Sequence, residues 1–277
     1  MKIEYLLILL IFVGFALAEA VSTGLLKKPG QRSKDAIVEA VSSFVVIGFT
    51  QPFILLAAGL LTAQLLPNSQ NALAGLPILA QVGLLLVFDD MTQYWWHRAS
   101  HNVKWLYDLH RPHHDAEYMS IRIVYRNNLF YYLLMPGIWF SGALIDLGLG
   151  PVYAVYIVVK LLVICGAHSD VRWDAPLYRI AWLSPVMWIV ERTISTPATH
   201  SAHHGRHASD GVTNYKGNYG NLLFFWDVLF GTAKITRRYP EQIGVENLEP
   251  VSAAHQLLWP LVRDRKSKPE LLTDSTG

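Results

Sequence analysis

Apolar residues run in long blocks along this chain, with the polar residues gathered between them. Residues 5–18, inside a slightly longer run from 3 to 23, are almost all Leu, Ile, Val, Phe, Ala and Gly, and predict a helix long enough to cross a bilayer. The run Lys27-Lys28-Pro29-Gly30-Gln31-Arg32-Ser33-Lys34-Asp35 is a basic turn, and a second apolar block follows over 36–66. Within that block Gln51-Pro52 predicts a kink, because proline removes a backbone donor. After the polar turn Pro67-Asn68-Ser69-Gln70-Asn71 come apolar blocks at 76–96, 128–145 and 152–167, the last two separated by Asp146-Leu147-Gly148-Leu149-Gly150-Pro151. The expected fold is all-α, an integral-membrane helical bundle of five spans. By the positive-inside rule the basic turn is cytoplasmic, and parity then brings the ends of the third and fifth blocks, His97 and His168, to that same side as a cytoplasmic histidine-rich cap.

Beyond His168 the pattern turns amphipathic. Trp173, Tyr178, Trp182 and Trp188 alternate with Arg172, Arg179 and Arg192, a mixture suited to the headgroup level or to helix packing. Ser195-Thr196-Pro197 breaks the chain before a last polar region. From Arg237 onward a polar tail with one apolar patch at 257–262 reads as a solvated or interfacial appendage. The domain reading is 1–84 for N-terminal membrane helices, 85–233 for a catalytic region and 234–277 for the tail. Ala18-Glu19-Ala20 also imitates a signal-peptidase site, so removal of the first block is an alternative to its retention as a span.

Composition narrows the chemistry. Of 277 residues 52% are hydrophobic and only 16% charged, with a net charge of +2, which suits a membrane protein. No basic patch interleaved with aromatics points to nucleic acid. The single cysteine, Cys165, excludes an intramolecular disulfide and thiolate zinc boxes, so any metal falls to histidine.

Histidine is where the sequence is specific. Five of the 11 histidines fall within 97–114: His97-x-x-x-His101, then His110-x-x-His113-His114. A second H-x-x-H-H box, His200-x-x-His203-His204, follows later, with His207 at its edge. On a helix, positions i, i+3 and i+4 share a face, so each motif aims imidazoles at one region. Neutral imidazole ligates zinc, iron, copper and nickel, and this many donors exceeds one tetrahedral shell, so two metal ions are expected. Surface histidines at a membrane face are the bland alternative. A membrane zinc hydrolase activating water would carry H-E-x-x-H, which is absent, and a haem carrier would need fewer histidines, placed inside the spans.

The order of these motifs, Asp90-x-x-x-Tyr94-x-x-His97-Arg98-x-x-His101, the two H-x-x-H-H boxes, then Asn218-Tyr219-Gly220 and Trp226-Asp227-x-Leu229-Phe230-Gly231-Thr232, resembles the fatty acid hydroxylase/sterol desaturase superfamily over roughly residues 85–233. The Tyr118–Trp139 region and the closing run resemble the branch that includes alkylglycerol monooxygenase. The resemblance implies a non-haem di-iron oxygenase that uses O2 on a lipid C–H bond, by hydroxylation or, as the alternative that the histidines do not decide, by desaturation. It also implies an external electron donor of cytochrome, ferredoxin or reduced pterin type. The membrane would be the bacterial inner membrane or the endoplasmic reticulum, with the site facing the cytoplasm. By motif, the implied ligands are His97, His101, His110, His113, His114, His168, His200, His203 and His204. Asp90 and Tyr94, at i and i+4 on the helical stripe that continues to His97 and His101, are the other expected catalytic residues, with Asp90 orienting an imidazole. Asp227 is a second candidate for that role or a cap. Arg98 and Arg111 are expected to snorkel or meet phosphate, and Lys160 to snorkel or pair with Asp146 or Glu191. Ser201 stands where the family often has Arg, His207 where it more often has Asn, and Gly211–Gly217 looks like a small insertion.

Overall fold

The computed structural model describes residues 3–264. Within them the chain is helical apart from loops and two isolated β-bridges, Ile194 with Leu223 and Gly205 with Ile243, so the all-α reading holds. The part of the tail beyond 264 lies outside the described residues.

Three stretches are long and apolar enough to cross a membrane: α1 (Ile3–Ser22), α2 (Asp35–Leu65) and Pro136–His168. At 20 residues α1 is about 30 Å long, the thickness of a bilayer's hydrocarbon core. The other expected spans are revised. The block at 76–96 becomes α3 (78–102), a continuous helix, but Gln81, Asp89, Asp90 and Gln93 lie in it and it is not among those three. The block at 128–145 starts as a span only at Pro136, because Leu129–Leu133 forms a separate short helix, α5, after α4 (Lys104–His114). The last stretch is two helices, α6 (Pro136–Leu144) and α7 (Gly150–His168), bent at Gly148, whose φ of 109° is open to glycine. Beyond them come α8 (Asp174–Tyr178), α9 (Ser184–Thr193), α10 (Pro197–His203), α11 (Phe225–Leu229) and α12 (Ala253–Leu258).

The kink expected at Pro52 lies just upstream, as a wide π-turn over Val46–Thr50. Proline clashes with the carbonyl four residues earlier, and widening the preceding turn relieves it. A second π-turn, Leu86–Met91, interrupts α3. Helix α1 packs on α7, and α6 packs on both α2 and the π-turn of α3. A Cβ at Gly142 would sit 2.7 Å from Ala58 Cβ and 2.8 Å from the Leu55 carbonyl, so only glycine lets α6 approach α2 so closely. The two loops away from the histidines touch: Asn71 and Leu73 N–H groups donate to the Asp146 and Leu147 carbonyls at 3.1 and 2.8 Å. All the histidine motifs therefore sit at the opposite end of the helices.

Near that end the buried carboxylate of Glu19 closes α1 onto the loops beside the histidines. It accepts from Ser120 Oγ and Ile121 N (both 2.7 Å), Ser169 Oγ (2.9 Å) and Asp170 N (3.2 Å). The amphipathic segment presents Trp182, Val186, Trp188 and Ile189 outward, with Arg192 stacked 4.3 Å over Trp188. The tail differs from expectation. Val251, His255, Gln256 and Leu257 are buried, and α12 packs against α2, α4 and α5. Short apolar patches that look solvated in sequence become core when a polar network receives their helix, here through Gln256, which meets Arg126, Asn128 and Asp115.

Candidate metal centre

Each histidine motif reaches the centre by a local device. In α3, His97 and His101 lie one turn apart at its end, with ring centroids 5.2 Å apart. Helix α4 ends with Arg111-Pro112-His113-His114. The third box occupies seven-residue α10, held at its start by a reciprocal Thr196–Thr199 capping box and by Pro197 in the first turn, which is what the Ser195-Thr196-Pro197 break does. His168 closes α7.

Tertiary packing sorts the nine into two groups: His97, His101, His110, His114 and His203, and His113, His168, His200 and His204. Within each group one nitrogen per ring lies within 4.8 Å of all the others, and every ring is buried. Each H-x-x-H-H box is split, giving residues to both groups. All nine histidines expected from sequence are thus brought together. His207 is not; it lies by Gln242 and Glu246, away from the cluster, and His255 accepts from the Asp264 N–H at 3.0 Å.

The outward nitrogens decide what the inward ones can do. Nδ1–H of His97 donates to the Tyr219 carbonyl (2.7 Å), of His203 to Gly217 (2.7 Å), of His113 to Ile123 (3.0 Å) and of His168 to Ile164 (2.8 Å). Each ring is thereby committed to a bare Nε2 lone pair facing inward. Yet His97 and His203 bring those nitrogens to 3.0 Å, and His113 and His168 to 3.3 Å. Two lone pairs aimed at each other repel unless a cation lies between them. Nitrogens about 2.1 Å from one metal are separated by about 3.0 Å at a right angle and about 3.4 Å at a tetrahedral one, so the spacing fits a shared ion. His101 has both ring nitrogens buried without a hydrogen-bond partner, as a ring whose lone pair serves a metal would. The donor set fits an imidazole-bound transition metal at each group. Burial holds His97 down to about 4, and burial with neighbouring imidazoles holds His101, His110, His113, His114, His200, His203 and His204 well below the ordinary histidine value. The rings are neutral at pH 7, as ligation requires.

The closing run and the glycine before it supply two of the four orienting carbonyls, those of Tyr219 and Gly217. Asp227 accepts from Tyr219 N (2.8 Å), Gly220 N (2.6 Å) and Thr232 Oγ1 (2.6 Å), fixing the loop that faces His97. Asn218, at φ 56°, donates to the Thr199 and Lys234 carbonyls. Asp90 touches no imidazole; it accepts from Trp226 Nε1 (2.8 Å) and Leu223 N (3.1 Å), tying α3 to α11. Tyr94 shares a hydrogen bond with Thr232 Oγ1 at 2.9 Å and accepts from Arg98. Arg111 neither snorkels nor meets a headgroup: it is buried and donates to the Glu249 carbonyl. Lys160 pairs with Asp89 at 2.6 Å, rather than with Asp146 or Glu191; Glu191 is taken by Arg237 and Arg192. Asp89 and Asn127 escaped sequence reasoning. The polar triplet Arg126-Asn127-Asn128 at the head of an apolar run was the available signal for the second.

A fatty acid hydroxylase family model matches residues 82–232. Alkylglycerol monooxygenases of Danio rerio and Homo sapiens are each 31% identical over 144 residues, and that of Xenopus tropicalis 30%. The match covers 52% of this chain but 28% of each relative's length. No solved structure matches.

Proposed function

The chain belongs to the fatty acid hydroxylase family, and from that premise we propose that it is a membrane-bound di-iron oxygenase that hydroxylates a C–H bond of a lipid with O2. An ether lipid is the favoured substrate class, given the alkylglycerol monooxygenase relatives, ahead of sterols and fatty acyl chains. The observation that carries the metal part is the facing of committed lone pairs, His97 to His203 and His113 to His168, in a buried all-histidine centre. Residues 85–233 form the catalytic region in this reading, on an N-terminal membrane portion, with α12 packed against α4 behind the second box.

When bound, the iron pair supplies the redox chemistry by which one atom of O2 enters the C–H bond and the other leaves as water, with two electrons and two protons from an external donor. The chain's own residues do the rest. The nine histidines hold the metals in neutral form; the carbonyls of Gly217, Tyr219, Ile123 and Ile164 keep each Nδ1 protonated and each Nε2 directed inward. Burial of every ring excludes bulk water. Asp90 and Tyr94 act through position, clamping the closing run over the centre.

Metal analysis tests this directly. Detergent-purified protein is expected to hold about two irons per chain without a haem absorption band, and to oxidise an alkylglycerol lipid once iron is restored. A single tightly bound zinc, with no activity on iron loading, would remove the di-iron reading and favour a zinc hydrolase.

Sidedness is a second expected result. The basic turn beside the histidine end supports a cytoplasmic site by the positive-inside rule. Ser209→Cys and Asn71→Cys, both at exposed positions, should react with an impermeant thiol reagent from opposite faces, Ser209→Cys from the cytoplasm. The native Cys165 is buried and gives little background. Labelling of both from one face would contradict the arrangement.

A further inference from the structure

Five of the nine cluster histidines hand the outward Nδ1–H to a recorded acceptor, and four of those acceptors are backbone carbonyls. The fifth is a side chain: His110 Nδ1 lies 2.8 Å from Asn127 Oδ1. Asn127 is 2% exposed. Its amide cannot turn over freely, because a chain of donors fixes its sense. Tyr132 OH donates to the Val124 carbonyl at 3.2 Å and so receives the Asn127 Nδ2–H, also at 3.2 Å, leaving Oδ1 for His110. The Tyr131 ring stacks on His110 with centroids 4.8 Å apart, setting the imidazole plane.

The neighbours of Asn127 hold it in place. Arg126 donates to Asp35 (2.8 Å) and Gln256 (3.2 Å). Asn128 donates through its side chain to the Gln256 and Trp259 carbonyls, and through its backbone N–H to Leu109, the residue before His110. The triplet is thus built against α4 and α12, with its middle member aimed at a cluster histidine.

We propose that Asn127 is a positioning residue of the metal centre, which fixes the Nδ1–H tautomer and ring plane of His110 and keeps it a neutral, moderate donor. This rests on the two-metal reading above. A carboxylate in this place would draw the imidazole proton, enrich the ring and favour the oxidised metal, whereas an amide accepts the same hydrogen bond without charge. The neutral acceptor sets a higher reduction potential at the five-histidine group than an acidic one would.

The test uses the whole chain in detergent, iron-loaded, with Asn127→Leu, Asn127→Asp and Tyr132→Phe. Chelator competition reads iron affinity, and an optical redox titration reads the potential. Asn127→Leu is expected to weaken one iron by about 10–100-fold, the usual effect of losing such a partner. Asn127→Asp, nearly the same shape, should keep both irons and show a lower potential with a shifted absorption band. Tyr132→Phe, which frees the amide to turn, should fall between parent and Asn127→Leu. An unchanged potential and spectrum in iron-loaded Asn127→Asp overturns the proposal even if Asn127→Leu does not fold. A parent protein that takes up no iron overturns the two-metal reading as well, so the two failures are distinguishable.

Discussion

His168→Ala is expected to abolish the proposed oxygenase activity and to lower bound iron from about two per chain toward one, since in the two-metal reading His168 is a ligand and not an outer partner. Outer partners typically cost about 10–100-fold, and loss of a ligand nitrogen should exceed that. His168 decides more than the boxes do, because it stands outside them, at the end of α7, and reaches the four-histidine group only through the packing of that helix. Its Nε2 lies 2.9 Å from that of His200 and 3.3 Å from that of His113. Alanine at 113 or 200 should give the same partial metal loss, and alanine at 97 or 203 should empty the five-histidine group instead. His207→Ala, outside both groups, should leave iron and turnover at the parent level. Full iron and turnover in His168→Ala would mean that the second metal closes without it and that the grouping is wrong.

Lys160→Met is expected to destabilise the protein by roughly 3–5 kcal/mol, the cost of stranding a buried partner charge. Asp89 and Lys160 have side chains 5% and 8% exposed and meet at 2.6 Å, with Tyr156 OH donating to the same carboxylate oxygen at 2.8 Å. The pair joins α7 to the π-turn of α3, two of the helices that carry cluster histidines. The double variant Asp89→Asn, Lys160→Met removes both charges but keeps an acceptor for Tyr156, and should recover most of the loss. Thermal unfolding in detergent, followed with iron content, checks both variants. A single variant as stable as the parent would show that Asp89 reaches water when unpaired and that the buried pair adds no stability.

How far the sequence reached is clearest in α3. Asp90, Tyr94, His97 and His101 fit one stripe only if the helix keeps 3.6 residues per turn throughout. The π-turn over Leu86–Met91 breaks that phase upstream of Tyr94. Asp90 therefore faces Trp226 instead of an imidazole, and Asp89 is brought inside as well, where Lys160 meets it. Below the π-turn the helix is regular, so the spacing of His97 and His101 is as read.

By itself the sequence determined the helical class, the apolar blocks, the turns at 67–71 and 146–151, and the three spaced histidine motifs, because these rest on periodicities of a few residues that local backbone geometry enforces, while His168 was singled out by topology and family resemblance. Only the tertiary structure decided how each H-x-x-H-H box divides between two groups, that carbonyls and Asn127 orient the rings, and that the tail helix braces the second box. Those depend on how helices far apart in the chain cross, and on a widened turn that rotates one part of a helix against the next, quantities that no local spacing encodes.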